Sequence, residues 1–161
     1  MNATAEALTT LAWQVRVRTL HILGQAEQSW LLWTPKGTAN HMIWHAGHAL
    51  WVQDAICVKL LAGKSELPSG WAKRFGMDSN PALDRETWPS STQVADLLTR
   101  QLSRLKELLA GADGKLLGDM AVWGDGVEPG VGFNIIHGLH DEAIHQGEMY
   151  LLLKMCRAGH C

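Results

Sequence analysis

Four stretches of this chain repeat their apolar residues at helical spacing, and no strand-like alternation separates them. They run over about residues 4–28, 41–62, 90–110 and 133–157. Helices of about 20 to 25 residues are about 30 to 38 Å long at 1.5 Å per residue. Rods of matched length bury their apolar stripes best by lying side by side. The expected fold is therefore all-α, an up-down four-helix bundle in a single domain over residues 1–161, with a long connection between its second and third helices.

The punctuation supports these bounds. In the first stretch Leu8, Leu11, Val15, Leu20 and Leu23 form one stripe, with Arg16 and Arg18 turned elsewhere, and Pro35 and Gly37 then break the chain. Asn40 is a candidate N-cap for the second stretch, and Gly63 sits where a helix-terminating glycine belongs. Ser90 or Ser91 opens the third, whose buried stripe is Val94, Leu97, Leu98, Leu102, Leu105, Leu108 and Leu109, and Gly111 closes it. The connection over residues 64–89 holds Pro68, Gly70, Gly76, Pro81 and Pro89 together with Trp71, Phe75 and Trp88. So long a connection in a compact domain is uncommon and often functional, and its aromatics predict that it packs down on the bundle.

Composition narrows the classes of partner. Net charge is −2 with the eight histidines counted neutral. Arg16, Arg18, Lys73, Arg74, Arg100, Arg104 and Lys106 are scattered and read as a solvated surface, so neither nucleic acid nor an anionic membrane is an expected partner. No run of about 18 apolar residues predicts a membrane span, and the first ten residues lack the pattern of a secretory leader. The three cysteines, Cys57, Cys156 and Cys161, show no framework spacing and read as reduced thiols of a cytoplasmic protein, Cys57 in the core. Eight tryptophans against one tyrosine and two phenylalanines call for a thick core or an aromatic pocket.

Six of the eight histidines fall in two windows, His41, His45 and His48 in the second helix and His137, His140 and His145 in the fourth. His41, His45 and His48 share one face of the second helix at i, i+4 and i+7, together with Trp44, Trp51, Val52, Ala55 and Ile56. That is its core face; Gln53 and Asp54 lie opposite. On the fourth helix His137, Asp141 and His145 stand at i, i+4 and i+8, with Glu148 and Leu152 continuing the stripe and Glu142 to its side. Unpaired ionisable groups are costly in a core. One ion satisfies several at once, and His with Asp at i, i+4 can reach one ion from one helix while a facing helix supplies a third donor. Imidazole with carboxylate suits zinc, nickel or iron(II) better than calcium or magnesium, and three protein donors leave a position open. The competing reading is a hydrogen-bonded set of core histidines without metal.

At these residues the chain resembles the DinB-like superfamily of bacterial four-helix-bundle proteins, which includes relatives of thiol S-transferases that use bacillithiol or mycothiol. Trp44-His45-Ala46-Gly47-His48 looks like the superfamily's first metal motif. The run from His137 to Glu148 looks like its last-helix motif, in which a histidine or acidic residue precedes a second histidine by four positions, followed by Gly-Glu or Gly-Gln. The resemblance implies a metal held by His45, Asp141 and His145. It departs at Asp141, where the three-histidine version has histidine; a carboxylate can still ligate, or His48 or His137 takes over, or the metal has been lost.

Two classes of function follow. By resemblance, a divalent metal (zinc, nickel or iron) would serve thiol transfer to an electrophile, or a hydrolysis, on a small-molecule substrate or thiol cofactor, with Glu148 or Glu142 as base or as support for a ligand. The alternative is a non-enzymatic small-molecule-binding or stress-response bundle with a tryptophan-lined cavity. A homodimer is expected from the resemblance, since family members pair through helix faces.

Overall fold

A computed structural model describes residues 2–82, 88–121 and 128–161. The described residues are helical or irregular, with no strand among them. Helix α1 spans Ala3–Gly24, and a 3₁₀ turn follows at Gln28–Trp30. Helix α2 spans Met42–Gln53, passes through a π-helical turn at Asp54–Val58 and finishes as α3, Lys59–Ala62. The short α4 is Trp71–Phe75, α5 is Ser91–Gly111, α6 is Gly114–Leu117 and α7 is Val131–Arg157. The four long elements close a ring in which α1 packs on α5 and α7, and α2 packs on the same two. Among the described residues no helix is long and apolar enough to cross a membrane.

Local chemistry explains the ends. Asn2 caps α1 by accepting the Ala5 amide at 2.9 Å. Ser90 and Gln93 form a reciprocal capping box at the start of α5, an arrangement in which the serine alone stabilises by about 1 kcal/mol. The cap of α2 is His41, not the expected Asn40: its Nδ1 accepts the Trp44 amide at 3.1 Å. Gly63 ends α3 with φ +79°, a left-handed conformation that costs glycine little. In the π turn the Lys59 amide reaches the Asp54 carbonyl five residues back. Helix α7 comes close there, at Gly138, where a Cβ would stand 3.0 Å from the Cys57 sulfur.

Two readings of helix faces need correction. Helix α2 is buried all round, because α5, α7 and α4 enclose it. Gln53 and Asp54, expected on an outer side, lie inside with the rest. In α1 the inward stripe is Ala5, Leu8, Ala12, Arg16, Thr19, Ile22 and Leu23, while Leu11 is exposed. Arg16, expected at a solvated surface, is only 3% exposed.

Arg16 lies inside because the bundle supplies every partner its guanidinium needs. Its Nε and Nη2 each donate to Glu142 of α7 at 2.8 Å. Nη1 donates to the Leu98 carbonyl at 2.6 Å and Nη2 also to Gln101 at 3.0 Å. Glu142 further accepts from Thr19 at 2.7 Å and Gln53 at 3.3 Å. Gln101 in turn donates to the Leu50 carbonyl at 2.9 Å. This network joins α1, α2, α5 and α7. A bidentate, saturated ion pair of this kind offsets its desolvation, which a lone buried charge does not.

The long connection packs down as its aromatics predict. Trp71 and Phe75 of α4 are buried, with ring centroids 4.5 Å apart. Residues 83–87 of that connection lie outside the described residues.

Candidate metal centre

Beside the Arg16 network, on the same two helices α2 and α7, lies a second polar cluster. His48 Nε2, Asp141 and His145 Nε2 offer three donor atoms that all lie within 4.8 Å of one another. Asp141 Oδ2 is 3.9 Å from His48 Nε2 and 3.7 Å from His145 Nε2. Among the described residues this is the only group of three or more such side chains close enough to share an ion.

The spacing on α7 produces half of it. Asp141 and His145 are one turn apart, so their side chains lie over each other on one face. His48 comes across from α2, where the inward face continues past the aromatic layer. Trp44 stacks on the His48 ring (centroids 4.6 Å, planes 20° apart) and meets His145 edge-on at 5.8 Å. The Trp44 indole is itself tied by its Nε1 to Ser79 Oγ at 2.8 Å.

Hydrogen bonds outside the cluster choose the atoms that face it. His48 Nδ1 lies 2.6 Å from the Phe75 carbonyl. A carbonyl only accepts, so Nδ1 carries the proton and Nε2 presents a lone pair. His145 Nδ1 lies 2.8 Å from His45 Nδ1, which leaves its Nε2 toward Asp141. His45, the second-helix ligand implied by the resemblance, thus touches His145 from behind and is not in the close group; His48 is. Burial lowers the His45 pKa to about 3, with His145, His41 and His48 adding repulsion and the Asn40 backbone pulling the other way. The His145 pKa is lowered as well, by burial first and then by His48, against the pull of Asp141 and Glu142. Both rings are held neutral, the form that ligates.

Asp141 Oδ2 is buried and has no hydrogen-bond partner. Buried carboxylate oxygens are nearly always satisfied, so an orphan facing two imidazoles marks a missing partner. The donor set and the orphan fit a divalent cation.

The remaining candidates are accounted for elsewhere. His137 stacks on Phe133 one turn back, with ring centroids 6.1 Å apart. Glu142 is committed to Arg16 and supports no ligand. Glu148 is exposed and lines a cavity of about 410 Å³ that opens beside His45 and His145. Cys57 is buried, and burial pushes its thiol far up from the usual range, as a core residue requires. Sequence reasoning missed Arg16 and Gln53. The signal for Arg16 was present: the stripe Leu8, Ala12, Arg16, Thr19, Leu23 keeps helical spacing straight through the charge.

Comparison with known proteins agrees with this architecture. No functionally described protein matches the chain. It is similar to a solved structure of a conserved protein from Enterococcus faecalis, with TM-score 0.75 and 15% identity over 96% of this chain and 97% of that one, a likeness of fold. The sequence pattern of the DinB superfamily matches residues 12–149, from the third turn of α1 to about two thirds of the way along α7. With that match over most of its length, the chain belongs to the DinB superfamily.

Proposed function

We propose that this protein binds one divalent metal ion through His48 Nε2, Asp141 and His145 Nε2, and uses it as a thiol S-transferase or hydrolase acting on a small molecule. The observation that carries the reading is the orphaned, buried Asp141 oxygen between two imidazole nitrogens. Zinc, nickel and iron(II) suit this donor set. Such an ion supplies Lewis acidity and makes a thiol or water easier to deprotonate near neutral pH.

The chain's own residues do the rest. Asp141 and His145 are partly open, with side chains 24% and 15% exposed, so the cluster can be reached from one side. His48 is shielded on the other by Trp44 and Trp51. His45 orients His145. The two Nδ1 atoms are 2.8 Å apart, and a His145 that donates its Nδ1–H to His45 keeps a bare Nε2 for the ion.

A second copy of the chain fits the reading as a partner. Trp13 and Val17 of α1 and Tyr150 of α7 are exposed and line one groove between two helices that pack together. A homodimer would cover that seam, and light scattering tests it. The free cysteines and the metal-ligating histidines go with a cytoplasmic location.

The test is elemental mass spectrometry on protein purified without chelator or histidine tag. About one zinc, nickel or iron per chain is expected, lost in His48→Ala and in His145→Ala, followed by screening of thiol-transfer and hydrolase substrates. Protein that carries no metal and takes none up on titration would turn the cluster into a structural histidine network and favour a non-enzymatic small-molecule-binding bundle.

A further inference from the structure

We infer that the short helix α4 fixes which nitrogen of His48 faces the site, and that Gly47 is the position that lets it do so; as a statement about metal affinity this rests on the ligand set proposed above. The contact at issue is the 2.6 Å approach of His48 Nδ1 to the Phe75 carbonyl. A neutral imidazole has one proton and two places for it. With the proton on Nε2, two lone pairs would face each other across that distance, and no lone pair would face Asp141. The carbonyl therefore selects the tautomer that can ligate.

Phe75 is the last residue of α4, where a helix carbonyl has no partner within the helix and is free to accept from elsewhere. Its position depends on its own ring. That ring is fully buried against the backbone of Gly47: a Cβ built there would stand 2.2 Å from Phe75 Cε1 and 2.3 Å from Cδ1. No side chain fits without moving the ring, and the carbonyl moves with it. A glycine inside a helix is less favourable than alanine by about 1 kcal/mol, so its presence in α2 asks for a reason of this kind. A second tie holds the same place, for Trp71 Nε1 donates to the Gly47 carbonyl at 3.0 Å. Trp88 meets the Phe75 ring edge-on, with centroids 5.3 Å apart. Gly47, Trp71 and Phe75 are positioning residues: they touch neither Asp141 nor the donor atom, and act through the His48 ring.

Two measurements on the full chain test this. Long-range nitrogen–proton NMR of the metal-free protein reads the His48 tautomer, with His48→Gln assigning the signals. Competition with a chromophoric chelator reads zinc affinity. The wild-type ring is expected as the Nδ1–H tautomer. In Gly47→Ala that single tautomer should be lost and zinc affinity should fall by about 10- to 100-fold, the usual cost of losing an outer partner of a metal-bound histidine. Trp71→Phe removes the bond to Gly47 and part of the packing against Phe75, leaves the Gly47 backbone unchanged, and should move both readings less, in the same direction. A folded Gly47→Ala with unchanged tautomer and affinity overturns the inference, as does an Nε2–H tautomer in the wild type. If Gly47→Ala does not fold, Trp71→Phe decides, and no change in either reading overturns it. A wild type that takes up no zinc, with a tautomer that still shifts in the variants, keeps the clamp and removes the metal reading.

Discussion

Asp141 and Glu142 are neighbours on α7, and both turn toward polar groups inside the bundle. Glu142 is 1% exposed and meets a guanidinium, a hydroxyl and an amide. Asp141 stands at the partly open edge with one oxygen buried and unmatched. The bundle satisfies Glu142 from two other helices, α1 and α2, and gives the Asp141 oxygen only two imidazole nitrogens at 3.7 and 3.9 Å. A saturated cluster fixes a fold, because any other packing strands its charges. An unsaturated one of the same residue types is prepared for something that arrives later. Burial and charge alone would not separate the two; counting partners does.

Four substitutions press on that contrast. The largest effect belongs to Glu142→Ala, which strands Arg16 in the core and should lower unfolding free energy by about 3–5 kcal/mol. Urea denaturation of the metal-free protein measures it, and a loss below about 1 kcal/mol would mean the network is dispensable. Next is His145→Ala. Stoichiometric metal binding should vanish, a loss of at least about 100-fold, while the metal-free fold persists, since the residue removed is outside the Arg16 network. Calorimetric titration with zinc checks the first part and circular dichroism the second; retained one-to-one binding would remove His145 from the site. His45→Ala should cost less, about 10- to 100-fold in affinity, because it takes away the orienting partner and leaves the donor. An effect as large as that of His145→Ala would make His45 a ligand after all. The smallest change is expected from Asp141→His, which replaces the carboxylate by a third imidazole and should hold zinc affinity within about threefold or raise it. Complete loss of metal there would assign Asp141 a different task.

Much of the fold was legible because its signals are local. Helical spacing, Ser90, Gly63 and the aromatics of the long connection each act within a few residues, and the helices formed close to the expected bounds. Arg16 was misread because a charge in a stripe is ordinarily a solvated one; only the distant Glu142, Leu98 and Gln101 make its burial affordable. Gln53 and Asp54 were placed outside on the assumption that this side of α2 is open; instead Gln53 donates to Glu142 of α7 and Asp54 accepts the Glu66 amide. The site was legible to the level of faces. His41, His45 and His48 do all turn inward, and Asp141 and His145 do stand together. The choice between His45 and His48 was not readable, because both lie on the inward face one turn apart. The two rings differ in their partners, since His48 meets the Phe75 carbonyl and stands by Asp141 while His45 meets His145 Nδ1, and both contacts come from other parts of the chain.

The bond between Arg16 and Glu142 spans 126 residues. A ribosome makes the arginine early and its carboxylate late. At about 5–20 residues per second, the cation waits several seconds or more for the group that neutralises it. Until then a stripe of Leu8, Ala12 and Leu23 with a charge in its middle can associate with α5 only weakly. The Arg16 network can therefore close only once α7 has emerged.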